Sequence, residues 1–121
     1  MRLVILESPF AGDFRRNEDY LTRCIRDSVL RGEAPFASHR MYPGALSEAT
    51  ERDLGIRAGY SWWKVAAAIV FYTDYGWSPG MHKAKQRAKT MQILIEERRL
   101  QREDPADEAH RRSLRQWRQP E

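Results

Sequence analysis

The sequence predicts an α/β fold built on a small, doubly wound and mainly parallel sheet. Two observations carry this prediction. Short apolar runs without polar alternation are typical of strands buried on both faces, and amphipathic helical stretches separate these runs. The elements alternate in the order β, α, β, α, β, α, β, so crossovers of the usual right hand place helices on both faces. We therefore expect a three-layer sandwich of the Rossmann or flavodoxin type.

The first strand is predicted at Leu3–Leu6, an uninterrupted apolar run that ends in a turn. Asp13 or Asn17 is the candidate N-cap of the helix that follows. From Tyr20 to Val29, apolar and small residues recur at three- and four-residue steps, which indicates one buried helix face. Gly32 is placed to end this helix.

The second strand is predicted at Ala34–Ser38, on a sheet edge, because Pro35 has no N–H group to donate to a neighbouring strand. After an irregular stretch, Ser47 is expected to open a helix that runs to about Lys64. The third strand, Val65–Tyr72, lacks polar alternation and is predicted to lie in the middle of the sheet.

A helix at Met81–Lys89 and a fourth strand at Met91–Ile95 complete the predicted domain, which we bound at residues 1–97. Residues 98–121 are predicted to form a charged, largely helical C-terminal appendage that Pro105 interrupts. This appendage is a candidate contact surface for a second subunit or for the domain itself.

The formal net charge is +4, with 21 basic and 17 acidic residues interleaved along the chain. The basic excess lies mostly in two helix-like stretches, Lys83–Lys89 and His110–Arg118, which are typical of solvated faces. We therefore do not expect polymeric nucleic acid as a partner. The only cysteine, Cys24, excludes a disulfide framework and favours a reducing compartment.

The apolar run at the N-terminus is too short for a signal-peptide core or a membrane span, so we expect a cytoplasmic protein that does not bind membranes. The three histidines, His39, His82 and His110, lie far apart in the sequence without ligand-like spacing. The glycine-rich loop lacks the G-K-[ST] signature of nucleotide hydrolases. Neither a metal site nor a cofactor is predicted.

Ligands of doubly wound sheets bind outside the carboxyl ends of the strands, which places a site in the loops after the first three strands. Polar groups suited to a sugar and aromatic groups suited to a base are concentrated there. The predicted ligand-binding residues are Ser8, Pro9, Phe10, Gly12, Asn17, Ser38, His39, Tyr42, Asp74, Trp77, Ser78, Gly80 and Met81.

Five stretches in these loops and helices carry a resemblance to a known superfamily: ESPFAGD, RNEDYL, RGEAPFASHRMY, GIRAG and VFYTDYGWSPGM. In order and spacing they are similar to nucleoside 2-deoxyribosyltransferase-like proteins, especially to a branch of small phage proteins. The resemblance covers about Leu3 to Ala88. It implies a nucleoside pocket, assembly into a homo-oligomer, and the host cytoplasm as location if the protein is phage-encoded.

The resemblance also implies a glutamate nucleophile just after the glycine-rich loop, since a carboxylate stabilises and traps the oxocarbenium character of N-glycosidic cleavage. Here the positions where it is expected hold His82 and Ala84. We therefore expect a nucleoside- or nucleotide-binding protein that sequesters a nucleotide or a host immune signal. One alternative is an N-glycosidase or deoxyribosyltransferase with a relocated carboxylate, Asp74 or Glu7. Another is a protein-interaction inhibitor of a host factor.

Structural roles stay open for several of these residues. Asp74 could cap its own turn, and Glu7 could be buried in an ion pair with Arg16. Of the adjacent Trp62 and Trp63, one is expected in the core and the other at a groove or a subunit contact.

Overall fold

The computed structural model describes residues 1–100, so residues 101–121 of the predicted appendage lie outside the described part of the chain. Four parallel strands form one sheet in the order β2-β1-β3-β4. The strands are β1 (Arg2–Glu7), β2 (Glu33–Phe36), β3 (Ala68–Tyr72) and β4 (Leu94–Arg98). This arrangement confirms the predicted fold class and the edge position of β2.

Helices pack on both faces of the sheet. The helical elements are α1 (Phe14–Leu30), α2 (Ser38–Met41), α3 (Arg52–Ser61), a 3₁₀ helix (Trp62–Val65) and α4 (Pro79–Thr90). On one face, α1 packs through Tyr20 and Leu21 against β1 and β3; on the other, the 3₁₀ helix and α4 pack through Trp63 and Met81. None of the helices within residues 1–100 is long and apolar enough to cross a membrane.

The ends of α1 follow the predicted capping chemistry. The side chain of Asp13 accepts a hydrogen bond from the backbone N–H of Arg16 at 3.1 Å, so Asp13 is the N-cap. Gly32 has a φ of 89°, in the left-handed region that glycine adopts without steric cost. Asn17, the other candidate cap, is instead a buried residue of α1.

The two adjacent tryptophans lie in different environments, one in the core and one exposed, as predicted. Trp63 is only 2% exposed and packs against Tyr60, whereas Trp62 is 47% exposed. The long helix predicted from Ser47 is shorter, because α3 begins at Arg52 and the chain tightens into the 3₁₀ helix at Trp62. β3 accordingly begins at Ala68 rather than at residue 65.

The fourth strand lies further along the chain than predicted. The predicted bounds, Met91–Ile95, are wrong because α4 continues to Thr90 and Gln92 turns the chain with a φ of 57°. β4 therefore takes in Arg98, which the sequence pattern placed in the appendage. Charged residues concealed this strand, since a buried strand normally reads as apolar.

Arg98 is the centre of a buried ion-pair network. Its guanidinium binds both carboxylate oxygens of Glu33, with N–O distances of 2.6 and 2.7 Å, and contacts Glu96 at 2.6 Å. Ser28 of α1 donates a further hydrogen bond to Glu33 at 2.8 Å. Burial by itself would raise the pKa of Glu33, but the hydrogen bonds from Arg98 and Ser28 lower it. Both edge strands of the sheet are joined by this pair.

We expect Arg98→Ala to lower the free energy of unfolding by about 3–5 kcal/mol, since the buried carboxylate of Glu33 then keeps only Ser28 and a 3.4 Å contact with Arg2 as partners. Urea denaturation at pH 7 measures the loss, and Arg99→Ala, at the exposed neighbouring position, is the control. A loss no larger than that of the control would show that the network contributes little to stability.

Candidate functional site

A cleft of about 110 Å³ opens at the carboxyl ends of β1 and β2. It lies between the loop that follows β1, the short helix α2, and the segment that leads into α3. Phe10, Ser38, His39 and Tyr42 line it, together with residues between positions 43 and 56. We call it the Phe10–Tyr42 cleft. Four of the predicted ligand-binding residues therefore share one cavity.

His39 is held in the cleft as a neutral ring. Its Nε2 atom lies 3.1 Å from the hydroxyl oxygen of Ser8, and the ring of Phe10 meets it edge-on with 6.0 Å between centroids. Burial, and to a lesser extent the positive charge of Arg40, lowers the pKa of His39 to about 4. At neutral pH the imidazole thus has no charge, and with Nε2 bonded to Ser8 only its Nδ1 atom is left to hydrogen-bond a ligand.

Asn17 fixes the loop that carries Phe10. Its side-chain amide donates hydrogen bonds to the backbone carbonyls of Phe10 at 3.2 Å and Ala11 at 2.9 Å. Pro9 is buried, and Gly12 turns the loop with a φ of 102°. The predicted Asn17, Pro9 and Gly12 therefore shape the wall of the cleft, although none of them lines it.

The opposite wall is set by a close approach of α3 to α2. A Cβ atom on Gly59 would lie 2.7 Å from the Cβ of Ser38, closer than two side chains can come. Trp62 donates a hydrogen bond from Nε1 to the hydroxyl of Tyr42 at 3.0 Å, which holds the Tyr42 ring at the cleft. Only glycine at position 59 permits this spacing.

Sequence reasoning missed the acidic rim of the cleft. The rim residues come from the segment before α3 and from its first turns, and they are Ser47, Glu48, Glu51, Arg52, Gly55 and Ile56. Glu51 accepts a hydrogen bond from the backbone N–H of Ser47 at 2.9 Å, and Arg52 donates one to Glu48 at 3.2 Å. The predicted helix start at Ser47 was the only signal there, and it did not show which way the segment faces.

Asp74 lies outside the cleft, and its carboxylate already accepts hydrogen bonds from other residues of the chain. The hydroxyl of Tyr20 donates one to Asp74 at 2.5 Å, and the backbone N–H of Leu100 contacts both carboxylate oxygens at 3.0 and 3.2 Å. The backbone N–H of Asp74 in turn donates to the Tyr20 hydroxyl. Asp74 therefore ties the loop after β3 to α1 and to the end of β4.

The remaining predicted residues belong to α4 and the loop before it, away from the cleft. Ser78 caps α4 through Met81 N–H at 3.2 Å, Gly80 lies in the first turn, and Met81 is 1% exposed in the core. Trp77 packs on Phe71, with 4.9 Å between ring centroids. Contact of these four residues with a ligand stays a prediction.

The side-chain carboxyl of Glu7, the last residue of β1, has no hydrogen bond or ion pair with any other residue of the described chain. Arg16, its candidate partner, lies instead over the ring of Tyr75 at 4.4 Å, so that predicted pair is wrong. Burial raises the pKa of Glu7 to about 8. At pH 7 it is mainly a protonated acid, which can donate a proton but is a poor nucleophile.

Comparison with known proteins identifies the family of this chain. One family model, described as a domain of unknown function (DUF7768), matches residues 2–98. The chain belongs to the DUF7768 family. No curated protein and no solved structure matches it. The DUF7768 match ends at Arg98, so the family's unit includes the residue at the centre of the buried network.

Metal chemistry has no visible basis in the described part of the DUF7768 domain. Within residues 1–100, no group of three or more histidine, cysteine, aspartate or glutamate side chains is placed to hold a metal ion.

We expect Glu7→Gln to raise the melting temperature at pH 9 and to change it little at pH 4.5. Below pH 4.5 this carboxyl is protonated in both the folded and the unfolded chain, so it costs the fold nothing. As pH rises from 4.5 through about 8, ionisation favours the unfolded chain and stability is lost, a loss that glutamine avoids. Thermal melts at the two pH values measure the difference, with the exposed Asp53→Asn as a control for loss of one charge. An equal effect of Glu7→Gln at both pH values would contradict the buried, unpaired state of Glu7.

Proposed function

We propose that this protein binds a nucleoside or nucleotide in the Phe10–Tyr42 cleft and does not turn it over. The observation that carries the proposal is the neutral His39, fixed by Ser8 beside the ring of Phe10 in a cleft that Tyr42 also lines. Aromatic rings bind the face of a base, and a neutral imidazole with nearby hydroxyl groups can hydrogen-bond a sugar or a base edge. The resemblance to nucleoside 2-deoxyribosyltransferase-like proteins supports the same ligand class.

The charges around the cleft favour a nucleoside over its phosphates. Glu48 and Glu51 line the rim and only Arg52, paired with Glu48, opposes them, so the rim has a net negative charge that repels a phosphate. The N-terminus of α1, the other place where a phosphate would be expected, is already capped by the carboxylate of Asp13. Among the nucleosides and nucleotides to be tested, we therefore expect uncharged nucleosides to bind best.

Two observations support binding rather than turnover. The carboxylate of Asp74 is occupied by Tyr20 and by the backbone of Leu100, and Glu7 is mainly protonated at pH 7. A binder that does not consume its ligand sequesters it. The resemblance to small phage proteins makes a nucleotide immune signal in the host cytoplasm one ligand to test.

An N-glycosidase is the second candidate, and the state of Glu7 is what favours it. A partly buried carboxylic acid can protonate the departing base while water adds to the anomeric carbon of the sugar, which completes N-glycosidic hydrolysis. Under this alternative the protein would release free base from a nucleoside, and Glu7→Gln would abolish the release while ligand binding survived.

We expect the purified protein to retain an unmodified nucleoside in an ultrafiltration assay at stoichiometric concentration. Nucleosides, deoxynucleotides, NAD and cyclic nucleotides are mixed with the protein singly, and both fractions are chromatographed after denaturation. Phe10→Ala removes a ring of the cleft and should reduce retention at least tenfold. Phe14→Ala, which removes a ring that is 65% exposed in α1, is the matched control and should not.

Each outcome decides between the candidates. An intact ligand in the retained fraction supports the binder, and a free base in either fraction supports the N-glycosidase. If every compound passes through unchanged, both candidates are wrong and a protein partner becomes the next subject of study. Equal losses in Phe10→Ala and Phe14→Ala would show that ligand retention does not depend on this cleft.

A further inference from the structure

The rim of the cleft has one carboxylate that no cation neutralises within residues 1–100. Glu48 is paired with Arg52 at 3.2 Å, whereas Glu51 accepts a hydrogen bond from the backbone N–H of Ser47 and has no ion pair. A backbone N–H leaves the charge of a carboxylate in place, and the second oxygen of Glu51 remains available. Two carboxylates and one guanidinium line the cleft, so one negative charge is left over.

The two aromatic rings that line the cleft also lack a cation. Arginines lie over the rings of the other four tyrosines of the chain, which are Tyr20, Tyr60, Tyr72 and Tyr75. In the described part of the chain, no arginine or lysine lies over Tyr42 or Phe10. Their ring neighbours, Phe36 and His39, meet them at 62°, an edge-on rather than a stacked contact. Neither a cation nor a stacked ring therefore covers the faces of Phe10 and Tyr42.

Uncovered rings beside an unpaired carboxylate favour a planar cation as ligand. The face of an aromatic ring is electron-rich and attracts positive charge, and the carboxylate of Glu51 attracts it as well. The Nδ1 atom of His39 adds a hydrogen-bonding group, which a quaternary ammonium cannot use because its nitrogen carries no hydrogen. A nucleoside offers a base edge and sugar hydroxyls to this atom, so it fits the cleft better than a simple ammonium ion.

We propose that the cleft prefers nucleosides whose base carries a positive charge, such as bases alkylated on a ring nitrogen. The inference rests on the proposed function, because it specifies the ligand of the same cleft. The charged base would lie against Phe10 and Tyr42, and the carboxylate of Glu51 would compensate its charge. His39 would hydrogen-bond the base edge or the sugar. An uncharged nucleoside would keep the contacts with the rings and lose the attraction of the carboxylate.

Isomeric nucleosides test the proposal, because the two members of a pair differ in charge but not in composition. 1-Methyladenosine is a cation at pH 7, whereas its isomer N6-methyladenosine is neutral, and 3-methylcytidine with 5-methylcytidine forms a second such pair. Equilibrium dialysis at about 0.1 M salt measures the four affinities. We expect the cationic isomer of each pair to bind about tenfold more tightly than the neutral one.

Two variants locate the origin of this preference. Glu51→Gln removes the unpaired charge but keeps an oxygen for the N–H of Ser47, so the preference should fall to about threefold, the part due to the rings. Asp53→Asn is the matched control, since it makes the same change in charge at an exposed residue of α3 that does not line the cleft. The control should keep the preference of the unaltered protein. Affinity for the neutral isomers should be equal in all three proteins, which shows that the cleft is intact.

The outcomes separate this inference from the proposed function. If both isomers of each pair bind with equal affinity, the inference is wrong while the nucleoside site stands; if no nucleoside binds, both are wrong. An equal fall of the preference in Glu51→Gln and Asp53→Asn would place its origin outside the cleft and would also overturn the inference. Choline should not displace 1-methyladenosine, and displacement as effective as by the nucleoside itself would assign the cleft to a quaternary ammonium instead.

Discussion

The fold depends most on the paired hydrogen bonds between Arg98 and Glu33. Arg98 ends one edge strand and Glu33 begins the other, while Arg2 and Tyr72 bring the two central strands into the same network. Ser28 adds α1. Every strand of the sheet thus contributes a polar group to one buried cluster. The attraction within a buried ion pair often does no more than offset the free energy needed to remove both charges from water. We therefore interpret this network as specifying strand order and register rather than as a source of net stability.

The sheet brings together the loops that follow the carboxyl ends of its strands, and the helices then determine the shape of the cleft. Asn17 holds the loop of Phe10 from the side of α1, while Gly59 lets α3 approach α2 on the other side. The chemistry of the cleft comes from side chains that the fold desolvates, above all His39. Its rim carries Glu48 and Glu51 together with Arg52.

The sequence predicted what depends on local pattern. Apolar runs located β1 and β3, and the rule that ligands bind at the carboxyl ends of strands brought Phe10, His39 and Tyr42 together before the structure was known. It predicted a fourth strand but placed it three residues too early, because β4 is buried at its end by a charged residue, Arg98, whose partner lies 65 positions away. The role of Asp74 was hidden for a related reason: one donor is the backbone of Leu100, and a backbone N–H has no signature in a sequence. The acidic rim depends on the path of a loop, which tertiary packing decides.

The contact at Gly59 has a consequence for relatives of this protein. A residue with a side chain at this position would push α3 away from α2 and widen the cleft, since 2.7 Å between Cβ atoms leaves no room for adjustment. A position that does not line the cleft would then govern its width. The residue aligned with Gly59 thus sorts DUF7768 sequences by the width of this cleft.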